Sequence, residues 1–169
     1  MTTLDLRTIN VRSGDQFRDE FDIELEPFEL GGQRYLPVPR AVPAELAVTR
    51  AATGTVFELR FDGRLHGPCF RCLEDAVLDV PVSAREYQAV NPGDDDELRT
   101  AYLDNDQLDL STWARDAVAL ELPEKILCKP DCAGLCPVCG KNLNDEPHEH
   151  ADVEPDSRWS ALAELRDRL

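Results

Sequence analysis

The stretch ELAVTRAATGTVFELRFDGRL, residues 45–65, decides the fold. Its second half alternates with period two. Phe57, Leu59 and Phe61 take one side, while Val56, Glu58, Arg60 and Asp62 take the other. Successive side chains of a strand point to opposite faces, so this pattern describes a strand buried on one face only. Glu45 to Ala51 reads as a second strand, and Ala52-Thr53-Gly54-Thr55 between them reads as a hairpin turn. Working outward, residues 76–87 carry a third strand with Val77, Val80 and Val82 as apolar positions. Pro81 cannot donate to a ladder and places that strand at an edge or a bulge. Upstream, Phe21, Ile23 and Leu25 alternate with acidic residues, and Gly31-Gly32 joins two short strands around Phe28 and Tyr35. Leu4, Leu6 and Ile9 suggest one more short strand.

Two helices complete the reading. Residues 109–122 place Leu110, Trp113, Ala114, Ala117, Val118 and Leu120 on one stripe, with Asp109 or Ser111 as cap and Pro123 as stop. Residues 156–169 form a short amphipathic pattern with Trp159, Leu162, Leu165 and Leu169 on one side. Between strand and helix, residues 91–109 oppose seven acidic side chains with Arg99 alone and read as a solvated acidic loop. The expected class is α+β: an antiparallel β-sheet meander packed with one or two helices, plus a small C-terminal zinc-binding segment and terminal helix. Residues 1–123 make the β-rich domain, and residues 124–169 the Cys/His segment with its helix.

Composition narrows the function. The chain has 169 residues, of which 42% are hydrophobic, enough for a packed core. Acidic residues outnumber basic ones 34 to 18, for a net charge of −16. Phosphate binding needs clustered Lys and Arg, so a nucleic-acid backbone is a poor main partner and a basic protein a good one. The start of the chain lacks the apolar run of a signal peptide, and no window approaches a membrane span, so a cytoplasmic setting is expected. There thiols stay reduced, and six cysteines point to metal or redox chemistry before disulfides.

Four of those cysteines lie in CKPDCAGLCPVCGKNLNDEPHEH, residues 128–150. Cys136-Pro137-Val138-Cys139-Gly140 has the form of a zinc knuckle. Cys128, Cys132, Cys136, Cys139, His148 and His150 are six candidate ligands for a tetrahedral ion that needs four. The four cysteines are the first grouping, with the histidines as alternatives to one pair. Surplus ligands argue for a closed structural site, since catalytic zinc keeps a position for water. No nucleophile or general base stands at motif spacing, so the expectation is a protein that is not an enzyme. Cys69-Phe70-Arg71-Cys72 is less specific. It reads first as a turn with two small buried side chains, with a metal half-site and a redox pair as alternatives, and His66 close by.

Together, Cys69-Phe70-Arg71-Cys72-Leu73, the helix end at Leu122-Pro123, the run from Cys132 to Asn144 and the ending from Asp156 to Leu162 resemble the YceD/YlbN family of large ribosomal RNA subunit accumulation proteins. The resemblance is strongest in Gly134-Leu135-Cys136-Pro137-Val138-Cys139-Gly140-Lys141-Asn142-Leu143-Asn144. It departs at His148-Glu149-His150, where many relatives carry Cys-x-Cys; both residue types ligate zinc. The resemblance implies a bacterial or plastid factor needed for normal levels of large-subunit rRNA. With the charge, it suggests binding to a basic large-subunit ribosomal protein or pre-ribosomal particle. Direct RNA contact would be confined to local patches, around Arg50, Arg60 and Arg64 or around Arg158, Arg166 and Arg168. The alternative is a small redox or metal-handling protein that uses Cys69 and Cys72.

Overall fold

The computed structural model describes residues 2–93 and 95–150. The expected terminal helix over 156–169, with Arg158, Arg166 and Arg168, lies outside the described residues. The chain opens with β1 (Thr3–Asp5) and a 3₁₀ turn over Leu6–Thr8, so the first apolar positions make only a three-residue strand. It continues through β2 (Gln16–Glu24), β3 (Phe28–Leu30), β4 (Gln33–Pro37), β5 (Ala41–Arg50), β6 (Gly54–Pro68) and β7 (Asp75–Ala89).

The fifteen-residue β6 is the axis of the main sheet. β7 pairs antiparallel along its whole length, from Gly54↔Ala89 to Pro68↔Asp75. Its other edge is shared. β5 takes the first part (Arg50↔Thr55 to Glu45↔Arg60), and β4 takes the last (Pro37↔Leu65, Leu36↔His66). β2 pairs β5, and β3 pairs β4. Among the described strands β7 pairs β6 alone, so Pro81 sits on an edge strand as its missing N–H requires.

One face of this sheet is the core. Ile23, Val42, Leu46, Val48, Phe57, Leu59, Phe61, Val80 and Val82 are buried there. α1 (Leu110–Glu121) contributes Leu110, Trp113, Ala114, Ala117 and Val118. Each fully buried Leu, Val or Phe contributes about 1.5–3 kcal/mol by leaving water. The stripe stops short of Leu120, which is 87% exposed. Asp109 caps the helix; its carboxylate accepts from the Thr112 N–H at 3.0 Å.

The opposite face is a ladder of exposed ion pairs. Arg18 meets Glu45 at 3.5 Å, Arg60 meets Glu58 at 3.7 Å, and Arg64 meets Asp79 at 2.6 Å. Pairs of this kind each contribute only about 0–1 kcal/mol, but they occupy Arg60 and Arg64, two of the arginines considered for RNA.

The acidic segment holds more structure than its composition suggested. β8 (Leu103–Asp104) and β9 (Gln107–Asp109) form a tight hairpin, and β9 also pairs β1. Asn105 and Asp106 both take left-handed φ, 48° and 65°, as a two-residue hairpin turn demands. Leu108 and Leu4 are buried by this small sheet. No helix among the described residues is long and apolar enough to cross a membrane.

Candidate metal centres

The two long arms β6 and β7 are joined by six residues, Cys69 to Glu74. The Cys69 N–H donates to the Glu74 carbonyl at 2.7 Å, and the Leu73 N–H returns to the Cys69 carbonyl at 3.0 Å. Leu73 takes a left-handed φ of 65° to close the turn. Cys69 and Cys72 thus stand on a hairpin loop braced by two strands. A thioredoxin-like pair would instead need a helix after it.

The chain after α1 returns to this loop. Ile126 is buried, and its carbonyl accepts from the Phe70 N–H at 2.8 Å. Cys128 and Cys132 then arrive opposite the hairpin. Cys132 Sγ lies 3.7 Å from Cys69 Sγ, and Cys128 Sγ lies 3.5 Å from Cys72 Sγ. All four sulfurs lie within 4.8 Å of one another, and only Cys128 is exposed. A tetrahedron with metal–sulfur bonds of ~2.3 Å has sulfur–sulfur edges of ~3.8 Å, close to the spacing here. A disulfide would bring two sulfurs to ~2.05 Å.

The remaining ligands make a second group: Cys136, Cys139, His148 and His150, with their ligand atoms also within 4.8 Å of one another. Here the knuckle is a small hairpin. Cys136 N–H donates to the Lys141 carbonyl, Gly140 N–H to the Cys136 carbonyl, and Leu135 bridges Asn142. Gly134 takes φ +81°, and a Cβ there would lie 3.2 Å from the Arg71 carbonyl oxygen. Only glycine lets this hairpin lie so close to the first. His148 Nδ1 is 2.6 Å from the Glu146 carbonyl, and its Nε2 is 3.1 Å from Cys139 Sγ. A proton on Nδ1 donated to that carbonyl leaves the Nε2 lone pair facing the thiols, as metal-bound histidines are held.

Spacing alone leaves Cys136 and Cys139 free to pair either with Cys128 and Cys132 or with the histidines, and the fold brings together the second arrangement. Cys128 and Cys132 join Cys69 and Cys72, whereas Cys136 and Cys139 join the two histidines. The six candidates therefore fall into two groups, and Cys69 and Cys72, read first as a turn with a metal half-site as an alternative, stand in the first. His66 stands apart, 3.6 Å from the Asp75 carboxylate.

Thiolates are stabilised at Cys69, Cys132 and Cys136 and disfavoured at Cys72 and Cys128. Burial pushes the Cys69 thiol up, but backbone N–H groups of Cys72, Cys128 and Arg71 outweigh it and bring the thiol down to about 6. Burial drives Cys72 the other way, to about 12, as its neighbour takes the charge. Cys136 falls to about 6, chiefly through the Cys139 N–H. The Arg71 guanidinium donates to the Cys132 carbonyl at 2.8 Å, which ties the first loop to the later segment. The backbone N–H groups are donors suited to negative sulfur, and the two sets suit soft or borderline tetrahedral ions.

A groove of about 620 Å³ lies elsewhere, between the small sheet and β5–β6. Leu6, Ile9, Val48 and Val90 line it with Arg7 and Arg50, and neither Cys nor His is among its lining residues.

Comparison with known proteins follows the same elements. A family model described as "Large ribosomal RNA subunit accumulation protein YceD" matches residues 57–166, a span that takes in most of β6, all of β7 and α1, and every ligand of both groups. An uncharacterized protein of Mycobacterium tuberculosis is 38% identical over 104 residues, covering 59% of this chain and 49% of the relative. Chloroplastic proteins named YCED homolog 1 are 33% identical over 63 residues in Arabidopsis thaliana and 42% over 50 residues in Zea mays. These cover 37% and 30% of this chain and 20% and 17% of the relatives. The chain spans about half the length of the mycobacterial relatives it matches. No solved structure matches it.

Proposed function

The chain belongs to the YceD family of large ribosomal RNA subunit accumulation proteins, and on that premise we propose that it is a non-enzymatic factor of large-subunit biogenesis. It promotes accumulation of 23S rRNA in the cytoplasm by binding a basic ribosomal protein or an assembly intermediate. The family match across residues 57–166 carries this reading. Charge supports the choice of partner. A net charge of −16 repels a phosphate backbone and attracts a basic protein over a Debye length of ~8 Å. The arginines on the outer face of the sheet are already paired with carboxylates, which supports protein over RNA as the direct contact. Against the redox alternative, Cys69 and Cys72 are buried and each faces a thiol of the later segment.

Zinc is the metal that fits the donor sets, and with four protein ligands in each its role is structural. Bound zinc would tie Cys128–His150 to the sheet and so fix the surface the partner meets. The test is depletion followed by quantification of 23S against 16S rRNA, with affinity capture from the same cells. A selective fall in 23S rRNA, and recovery of large-subunit precursors or a basic ribosomal protein, is the expected result. An unchanged rRNA ratio together with capture of metabolic enzymes alone overturns the reading.

A further inference from the structure

We infer that the chain holds two zinc ions that depend on each other: a clamp ion between Cys69, Cys72, Cys128 and Cys132, and a hairpin ion between Cys136, Cys139, His148 and His150, coupled through Asn144. This rests on zinc being the metal.

The two ligand sets share no residue, so neither ion competes with the other for a donor. Their surroundings differ. Three of the four clamp ligands are buried, and their sulfurs join the β6–β7 loop to the segment after α1. Two of the four hairpin ligands, Cys139 and His150, are exposed, and all four come from one short stretch. Solvent and chelators reach the hairpin ion directly and the clamp ion only from the Cys128 side.

Asn144 links them. Its Nδ2 donates to Cys132 Sγ at 3.4 Å and to Asn142 Oδ1 at 2.8 Å, and its Oδ1 accepts from the Ala133 N–H at 3.0 Å. The amide thus supports a clamp thiolate while standing on the segment between Cys139 and His148. That segment is closed at both ends by ligands of the hairpin ion. Further bonds link it to the first hairpin through residues 134–135: Leu143 N–H donates to the Gly134 carbonyl at 2.9 Å, and Leu135 N–H donates to the Arg71 carbonyl at 3.1 Å. Removing the hairpin ion leaves residues 139–148 held by these hydrogen bonds alone and loosens the Asn144 donor to Cys132. Partners that orient a metal ligand typically contribute about 10–100-fold in affinity. By linkage the clamp ion supports the hairpin ion by the same factor.

Native mass spectrometry of the full chain, combined with stepwise removal of zinc by a colorimetric chelator, tests this. The wild-type chain is expected to carry two zinc ions and to lose them in two phases, the hairpin ion first. The Cys139→Ser/His150→Ala variant keeps one, released about 10–100-fold faster than the slow phase of the wild type. Asn144→Ala retains all eight ligands and both ions, and its slow phase accelerates by a similar factor; it carries the test if the double variant does not fold. A wild-type chain with a single zinc overturns the inference while leaving the zinc reading intact. A wild-type chain with none overturns both. Two ions with an unchanged slow phase in Asn144→Ala overturn the coupling.

Discussion

Exchanging Cys128 for Ser removes one sulfur from the clamp without opening a cavity, because Cys128 is the exposed member of the set. The consequence is large because of what the clamp closes. Cys72 and Cys128 are 56 residues apart in sequence and 3.5 Å apart at sulfur. A cross-link that closes a loop of this length removes about 4 kcal/mol of chain entropy from the unfolded state, taking the expression used for disulfides. At about 2–4 °C per kcal/mol for a chain of this size, this is a fall of about 8–16 °C in the unfolding midpoint. It is an upper figure for the variant, since three thiolates would remain as donors to a metal. Thermal and urea unfolding should be followed for both proteins, with zinc and after chelation. The wild type is expected to fall by most of this amount on chelation. Cys128→Ser should begin lower and fall less, and the chelated proteins should coincide. The reasoning is refuted if chelation leaves the wild-type midpoint in place, or if the gap between the proteins persists without metal.

Three further outcomes follow from local geometry. At Gly67 a Cβ would lie 2.5 Å from Tyr35 Cδ1 and 2.9 Å from the Arg34 carbonyl oxygen, so Gly67→Ala should cost about 1–3 kcal/mol in urea unfolding. Asp109→Ala removes the α1 cap and should cost about 1 kcal/mol, with Asp109→Ser recovering most of it. Burial holds the Tyr35 phenol above its ordinary value of 10.0, and burial followed by the Asp116 carboxylate does the same for Tyr102. A folded value raised above the unfolded one gives stability that is complete below pH 10.0 and is lost as pH rises through the folded values. Zinc-loaded protein titrated by phenolate absorbance should therefore show late-ionising tyrosines and a midpoint that declines above that pH. Tyrosines that all ionise near their ordinary value would count against the packing.

The sheet was legible because period two is written into β6: Phe57, Leu59 and Phe61 are buried, and Arg60 and Asp62 are exposed, as the alternation demands. Gly31-Gly32 and Pro81 marked a turn and an edge for steric reasons that hold in any context. The β8–β9 hairpin was missed because its acidic composition masked Asn105-Asp106, a pair suited to left-handed φ. The site was half legible. Candidate ligands could be named from side-chain type, but which of them meet depends on which segments meet. Cys128 and Cys132 are nearer to Cys136 in sequence, yet the chain after α1 runs back beside the β6–β7 loop. That return path is set by the burial of Ile126 and the length of β6 and β7, neither of which a local spacing encodes.

The clamp also sets an order of events during synthesis. Every strand of the main sheet lies before residue 90, so the sheet can pair while Cys128 and Cys132 are still to be made. Cys69 and Cys72 must wait as an open half of a site until the later thiols emerge. A chain finished in a zinc-poor cell would carry a completed sheet with residues 128–150 untethered, a form that proteases recognise. Zinc supply would then govern how long the protein lasts rather than whether its sheet forms. Pulse–chase labelling in zinc-limited cells should read this as a shortened half-life, and a half-life indifferent to zinc would refute it.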